Sequence, residues 1–224
     1  MNKVIIQSGG LGLRVGANIP KQYIEIYNKP IIVYTLEKFQ ANDLVDQIII
    51  ICDINWQSYV KDLCIKYNIN KFSYFIDNHI NLFLSTKNAI DSINDSNNDL
   101  ILIHEAVRPL VTDEMITDSF NVAKTYGNAI ACYKSIDETG ELEDNCIKSL
   151  HTEKELYVFQ NPHTFTIDKL KWAYNIKNES IGNQGTAILM YKLGERLYSS
   201  KGSPDCFKIT YPEDIIRFKQ LISK

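Results

Sequence analysis

Arginine is nearly missing from this sequence: Arg14, Arg108, Arg196 and Arg217 are the only four. Positive charge is not in surplus either, since the formal net charge is −3 and the pI about 5.8. A general basic field for nucleic acid or an anionic membrane surface is therefore excluded. No apolar run approaches the roughly 20 residues that a bilayer span needs. The five cysteines (Cys52, Cys64, Cys132, Cys146, Cys206) show no CxxC and no paired spacing. The four histidines (His79, His104, His151, His163) fall near no ligand-like partner, so no zinc pattern is present. An odd number of scattered thiols fits reduced cysteines in a cytoplasmic protein. The opening Met1-Asn2-Lys3-Val4-Ile5-Ile6 enters a strand pattern at once and leaves no room for a targeting segment. There is no internal repeat and no low-complexity tract.

What is there is ordinary globular material, 45% apolar and 23% charged over 224 residues. Short apolar runs at residues 3–7, 47–52, 72–76, 100–104 and 129–133 read as strands. Between them, residues 30–40, 56–67, 84–93 and 114–126 carry apolar side chains at helical spacing. Near-continuous runs such as Ile48-Ile49-Ile50-Ile51 suit strands covered on both faces. Repetition of strand, helix, strand predicts a three-layer α/β fold with a Rossmann-like, mostly parallel sheet. Ligands of such folds sit outside the carboxyl ends of the strands. After Ser135 the rhythm breaks. Residues 135–151 are polar and acidic with a turn-like Thr139-Gly140, which reads either as a protruding β-arm or as a plain surface loop. A short strand near 156–159 follows, then helices near 167–173, 185–193 and 212–222. No linker divides the chain, so residues 1–224 are read as one domain carrying an arm at about 135–151.

The most informative stretch is Gln7-Ser8-Gly9-Gly10-Leu11-Gly12-Leu13-Arg14-Val15-Gly16, followed by Pro20-Lys21-Gln22. Four glycines directly after a strand let backbone N–H groups approach phosphate oxygens. The spacing is not the GxxxxGK[ST] of a P-loop. It is not a dinucleotide fingerprint either, because Val15 occupies the place of the third glycine. A triphosphate cradle flanked by two cations, Arg14 and Lys21, fits the residues best.

Residues 9–22 resemble the GGxGxRxG…PKQ signature of the cytidylyltransferase family that contains 2-C-methyl-D-erythritol 4-phosphate cytidylyltransferase and ribitol-5-phosphate cytidylyltransferase. The resemblance spans nearly the whole chain. Ile103-His104-Glu105-Ala106-Val107-Arg108-Pro109-Leu110 is similar to the family's VHDAxRPL, and Phe159-Gln160-Asn161-Pro162-His163 falls where the family has AQTPQ. Cys206-Phe207-Lys208-Ile209-Thr210-Tyr211-Pro212-Glu213-Asp214 is similar to NIKITxPED.

The resemblance implies a nucleotide-diphospho-sugar transferase type of fold and attack of a polyol phosphate on the α-phosphorus of CTP, with pyrophosphate released. It implies that Arg14, Lys21 and Lys208 are catalytic cations. It places Ser8, Gly9, Gly10, Gly12, Asn78, His79 and Ser85 around the nucleotide, and Glu105, Arg108, Thr139 and Lys154 at the acceptor. Lys208 is expected near the end of a late strand. Mg²⁺ is implied through the CTP phosphates, with no metal ligand from the protein. A homodimer through the arm is implied as well, and a place in isoprenoid or cell-surface polysaccharide synthesis.

Departures from the family lie away from the triphosphate end. The register of its GGxxRxxS reads Asn78-His79-Ile80-Asn81-Leu82-Phe83-Leu84-Ser85, in which Ser85 alone persists; a helix N-cap is its alternative reading. Gln184-Gly185-Thr186-Ala187 replaces T-D-[DE]-A, and Glu105 stands where the family has Asp. From the sequence, a related nucleotidyltransferase with another nucleotide or acceptor, and a degenerate paralogue that only binds nucleotide, remain open alternatives.

Overall fold

The computed structural model describes residues 1–10, 19–94, 99–151, 155–176 and 184–223. In chain order the first elements are β1 (Asn2–Gln7), a 3-10 turn at Lys21–Tyr23, β2 (Glu25–Ile26), β3 (Lys29–Pro30) and α1 (Ile31–Ala41). Next come β4 (Gln47–Cys52), α2 (Ile54–Lys66), β5 (Phe72–Asp77), α3 (Leu82–Asp91), β6 (Leu100–Glu105) and α4 (Asp113–Tyr126). The remainder is β7 (Asn128–Lys134), β8 (Thr139–Glu143), β9 (Cys146–His151), β10 (Tyr157–Thr166), α5 (Ile167–Asn175), α6 (Thr186–Lys192), β11 (Ser199–Lys201) and α7 (Pro212–Ile222).

Alternation along the inner strands builds three layers. Val4, Ile6, Ile48, Ile50 and Leu102 pack on one face against Leu36 and Phe39 of α1, Val60 and Leu63 of α2, and Ile116 and Phe120 of α4. Their neighbours Ile5, Ile49, Ile51, Ile101 and Ile103 pack on the other face against Ile90 of α3, Leu170 of α5 and Met190 of α6. Successive strand side chains point to opposite faces, so a run of isoleucines feeds both layers at once.

The seven-stranded sheet has the order β11-β7-β10-β6-β1-β4-β5. β1 pairs in parallel with β4 on one side and β6 on the other, and β4 with β5. β10 runs antiparallel to both β6 and β7. It is ten residues long where the sequence suggests a strand near 156–159. The apolar pattern stops at Phe159 because Gln160, Asn161 and Thr164 follow, yet these polar residues are buried. Each is satisfied: Gln160 donates to the Cys206 carbonyl, Asn161 to the Ile103 carbonyl, and Thr164 shares a 2.7 Å bond with Ser119. Satisfied polar groups can replace apolar ones inside a sheet, which removes the signal that periodicity reads. β11, Ser-Ser-Lys, carries no apolar residue at all and escapes the same test.

The arm follows from this topology. An antiparallel neighbour needs no crossover helix, so the chain leaves β7, makes the separate β8–β9 ribbon, and returns beside β7 as β10. The arm thus departs from the carboxyl end of β7.

One buried ion pair ties the amino-terminal strand to the entry of β6. The Lys3 ammonium lies 2.5 Å from the Asp99 carboxylate, with both side chains almost fully enclosed. Asp99→Asn leaves a buried ammonium without its counter-charge. It is expected to lower stability by about 3–5 kcal/mol, measured by urea unfolding of the wild type and the variant.

Candidate functional site

The carboxyl ends of β1, β4, β5 and β6 open into one cavity of about 770 Å³. β1 sends the chain to β4 on one side, while β6 pairs on its other side, so the cavity lies at the switch point of the sheet. Register keeps the rim level: Gln7 is opposite both Ile51 and Glu105. The lining residues include Ser8, Gly9, Gly10, Lys21, Gln22, Asp53, Asn78, His79, Ser85, Glu105 and Lys208.

The first wall is the glycine loop. Gln22 Nε2 donates to the carbonyl oxygens of Ser8 (2.7 Å) and Gly10 (3.0 Å). Asn78 Nδ2 donates to the carbonyl oxygen of Gly9 at 3.2 Å. A Cβ on Gly9 would lie 2.7 Å from the Cβ of Asn78, so only glycine permits this approach. Lys21 and Gln22 are held in place by the next residue. The Tyr23 ring stacks on Trp56 with centroids 4.5 Å apart, and its hydroxyl sits 3.3 Å from Cys52 Sγ and 3.5 Å from Ser8 Oγ. Burial, with Cys52 alongside, pushes the Tyr23 hydroxyl well above its usual range, so it stays protonated. The Lys21 ammonium is buried and donates to the Ile209 carbonyl at 2.6 Å.

The second wall is the turn between β5 and α3. The side chain of Asn81 caps α3 by accepting from Leu84 N–H at 2.8 Å. The capping alternative for Ser85 is thereby corrected, because Ser85 lies within the first turns of the helix. Its Oγ accepts from His79 N–H at 2.8 Å and donates to the Asn81 carbonyl, which fixes the turn. His79 Nε2 lies 2.5 Å from Asn88 Nδ2. Ile80 stands 95% exposed at the rim.

The third wall is charged. Glu105 Oε2 accepts from Arg108 Nε at 2.7 Å, and Glu105 Oε1 pairs with the Lys208 ammonium. Arg108 also donates to the Cys206 carbonyl at 2.9 Å. Burial alone would raise the Glu105 carboxyl, but the Arg108 guanidinium and the Lys208 ammonium outweigh it and hold it down at about 2. Behind it, burial lowers His104 and His163 to about 4, so both imidazoles are neutral at pH 7.

Lys208 does not end a strand, contrary to the expectation from sequence. Residues 207–210 join no helix or strand and are held from both sides instead. Ile209 N–H donates to the Val107 carbonyl at 2.9 Å. The N–H groups of Thr210 and Tyr211 donate to Asp214 Oδ2 at 2.7 and 2.8 Å, with Pro212 opening α7. The Pro-Glu-Asp motif is thus a helix start that locks the segment carrying Lys208. Ile209 packs with Ile26, Ile31, Val107 and Phe218 beneath it.

The cavity brings together Ser8, Gly9, Gly10, Lys21, Asn78, His79, Ser85, Glu105 and Lys208. Arg108 lies behind Glu105 and is not part of the lining. Thr139 sits on β8 outside the cavity, with its hydroxyl enclosed and unpartnered. Arg14, Gly12 and Lys154 lie outside the described residues. The sequence reading assigns no role to Gln22, Asp53, Ile80 or Asn81, which also line the cavity. Of these, Gln22 alone had a signal, as the last residue of Pro-Lys-Gln. Among the described residues, no three His, Cys, Asp or Glu side chains converge as a metal site. Nor is any described helix long and apolar enough to cross a membrane.

Comparison with known proteins agrees with this geometry. The family model described as IspD, 2-C-methyl-D-erythritol 4-phosphate cytidylyltransferase, matches residues 2–224. A ribitol-5-phosphate cytidylyltransferase of Vibrio parahaemolyticus is 32% identical, over 99% of this chain and 96% of its own length. A 2-C-methyl-D-erythritol 4-phosphate cytidylyltransferase of Clostridium botulinum is 30% identical, over 100% of this chain and 98% of its own. In fold, the chain is similar to a 4-diphosphocytidyl-2C-methyl-D-erythritol synthase of Anaerococcus prevotii, with a TM-score of 0.85 at 23% identity, covering 100% of this chain and 96% of that one.

The paired state of Glu105 makes stability depend on acid. Its carboxyl is held at about 2 in the fold against 4.5 ordinarily, so its contribution is present above pH 4.5 and lost as the pH falls toward 2. Glu105→Gln, which cannot ionise, should be less stable than the wild type at pH 7. The difference in urea midpoints should shrink as the pH is lowered through that window. A constant difference from pH 7 to pH 3 would contradict the pairing.

Proposed function

The chain belongs to the IspD family and is a CTP-dependent cytidylyltransferase acting on a small polyol phosphate; from that premise we propose that the cavity at the sheet's switch point holds the triphosphate and the acceptor phosphate during transfer. The observation that carries this reading is the meeting of the glycine loop, Lys21 and Lys208 at a single rim.

The reaction joins two anions. A phosphate oxygen of the acceptor attacks the α-phosphorus of CTP, and the bond from that phosphorus to the bridging oxygen of pyrophosphate breaks. The protein's contribution is orientation and positive charge at the developing pentavalent centre. Lys21 has its stem buried and its ammonium anchored on the Ile209 carbonyl, which supports a fixed charge that needs no reorganisation during transfer. Lys208 lies across the same cavity on its own anchored segment, and Arg14 supplies a further cation in this reading. Glu105 holds Lys208 and Arg108 together at the acceptor side. The turn that carries Asn78, His79 and Ser85 is the base-proximal wall.

Mg²⁺ accompanies the triphosphate in this proposal and shields its charge. The carboxylates around the cavity are already engaged: Glu105 by two cations, Asp53 as the N-cap of α2, and Asp77 by Gln57. That donor set fits a metal carried by the nucleotide and not by the protein. The acceptor is an alditol phosphate, and the replaced acid pair at Gln184-Gly185-Thr186 supports an acceptor environment distinct from that of relatives with TD[DE].

A second copy of the chain is proposed to cover the arm. Ile136, Leu142, Ile147 and Leu150 are exposed there, and Phe159 is exposed at the start of β10. A cluster of this kind on a two-stranded ribbon is poorly suited to stand alone in water.

The test of function is pyrophosphate release, screening four nucleoside triphosphates against a panel of polyol phosphates. CTP with an alditol phosphate is the expected pair, and equal turnover with another triphosphate would overturn the base assignment. On the pair found, Lys21→Ala should lower kcat by about 10²–10³ with a smaller change in KM for CTP. A kcat within about threefold of wild type would remove Lys21 from the mechanism.

For the assembly, light scattering at micromolar concentration should give a dimer mass. Deletion of residues 138–145 should shift it to the monomer. A wild-type monomer would contradict the arm's proposed role.

A further inference from the structure

A loop that is to bind phosphate through its backbone faces a difficulty, because every peptide carries an acceptor as well as a donor. Only the N–H groups attract an anion, and a carbonyl oxygen turned into the same space repels it. Ser8, Gly9 and Gly10 line the cavity, and each carries a carbonyl as well as an N–H. Two side-chain amides take up all three. Gln22, itself buried, holds the Ser8 and Gly10 oxygens with one nitrogen, and Asn78 holds the Gly9 oxygen. In a trans peptide the N–H of the following residue points opposite to the carbonyl. With the Ser8 carbonyl drawn to Gln22, the Gly9 N–H points away from Gln22. With the Gly9 carbonyl drawn to Asn78, the Gly10 N–H points away from Asn78. Neither N–H donates to any acceptor among the described residues. Asn78 also stands at the first glycine of the GGxxRxxS pattern, so its bond to Gly9 is one that a glycine at that position could not make.

We propose that Gln22 and Asn78 are a pair of positioning residues that withdraw the loop's carbonyls and thereby commit the Gly9 and Gly10 amides to a phosphate-bearing ligand. Neither residue touches the reacting atoms in this role. The proposal rests on the reading of the cavity as a triphosphate site.

The test is calorimetric titration of the full chain, in the presence of Mg²⁺, with pyrophosphate and separately with cytidine. The proteins compared are wild type, Gln22→Met and Asn78→Ala. Methionine matches glutamine in size but cannot donate. Asn78 lies on a surface turn, so its variant keeps the test open if Gln22→Met does not fold. Each folded variant should bind pyrophosphate about tenfold to a hundredfold more weakly, the loss that goes with a charge-assisted hydrogen bond. For Gln22→Met cytidine affinity should stay within about twofold, and for Asn78→Ala, which also lies on the base-proximal wall, any loss of cytidine should be smaller than the loss of pyrophosphate. Unchanged pyrophosphate affinity in a folded variant would overturn the proposal. So would equal weakening of pyrophosphate and cytidine, which is the mark of a general structural defect. A wild type that binds no pyrophosphate would overturn the triphosphate reading, and this proposal with it.

Discussion

Burial of the central strands on both faces is the constraint from which the rest of the structure follows. Val4 to Ile6, Ile48 to Ile51 and Ile101 to Ile103 are enclosed by helices above and below. Along their length such strands admit a polar side chain only where it is buried with a partner, as Lys3 is with Asp99. Polar chemistry gathers at the carboxyl ends, where Ser8, Asp53 and Asn78, each the first residue past its strand, and Glu105, the last residue of β6, line one cavity. The register that aligns Gln7 with Ile51 and Glu105 makes those four chain ends one rim and not four separate turns.

The same constraint explains how much of the molecule was legible before the structure was known. Isoleucine runs announce inner strands, and residues 212–222 announce α7 through its Pro and acidic first turn, which the structure reproduces residue for residue. The sequence singles out the glycine loop and Lys21 together, and the structure sets Gly9, Gly10 and Lys21 in one cavity. β10 was legible only in its first residues, since buried hydrogen-bonded Gln160, Asn161 and Thr164 look like loop in a hydropathy pattern. The site's long-range parts were hidden for a related reason. Nothing local reveals that Lys208 meets Glu105, or that Gln22 reaches back to Ser8 and Gly10.

On the charged wall of the cavity, one carboxylate organises two cations. Arg108 and Lys208 would repel each other if brought together alone, and Glu105 lies between them with one oxygen for each. Replacement of the family's Asp by Glu adds a methylene, and the longer side chain spans both partners. The trio keeps a net positive charge at the edge of the cavity. Arg108 is further tied to the Cys206 carbonyl, which links the segment before Lys208 to the turn after β6.

The bond from Lys21 to the Ile209 carbonyl joins residues 188 positions apart. On the ribosome, the lysine is made early and its seat late. Until the segment 206–211 has emerged and α7 has closed over Ile26 and Ile31, the Lys21 ammonium has no Ile209 carbonyl to rest on. The nascent chain can therefore assemble its sheet around β1, β4 and β6 well before the cation is set in its final position. Arrival of residues 206–222, and not formation of the central sheet, is the event that finishes this rim of the cavity.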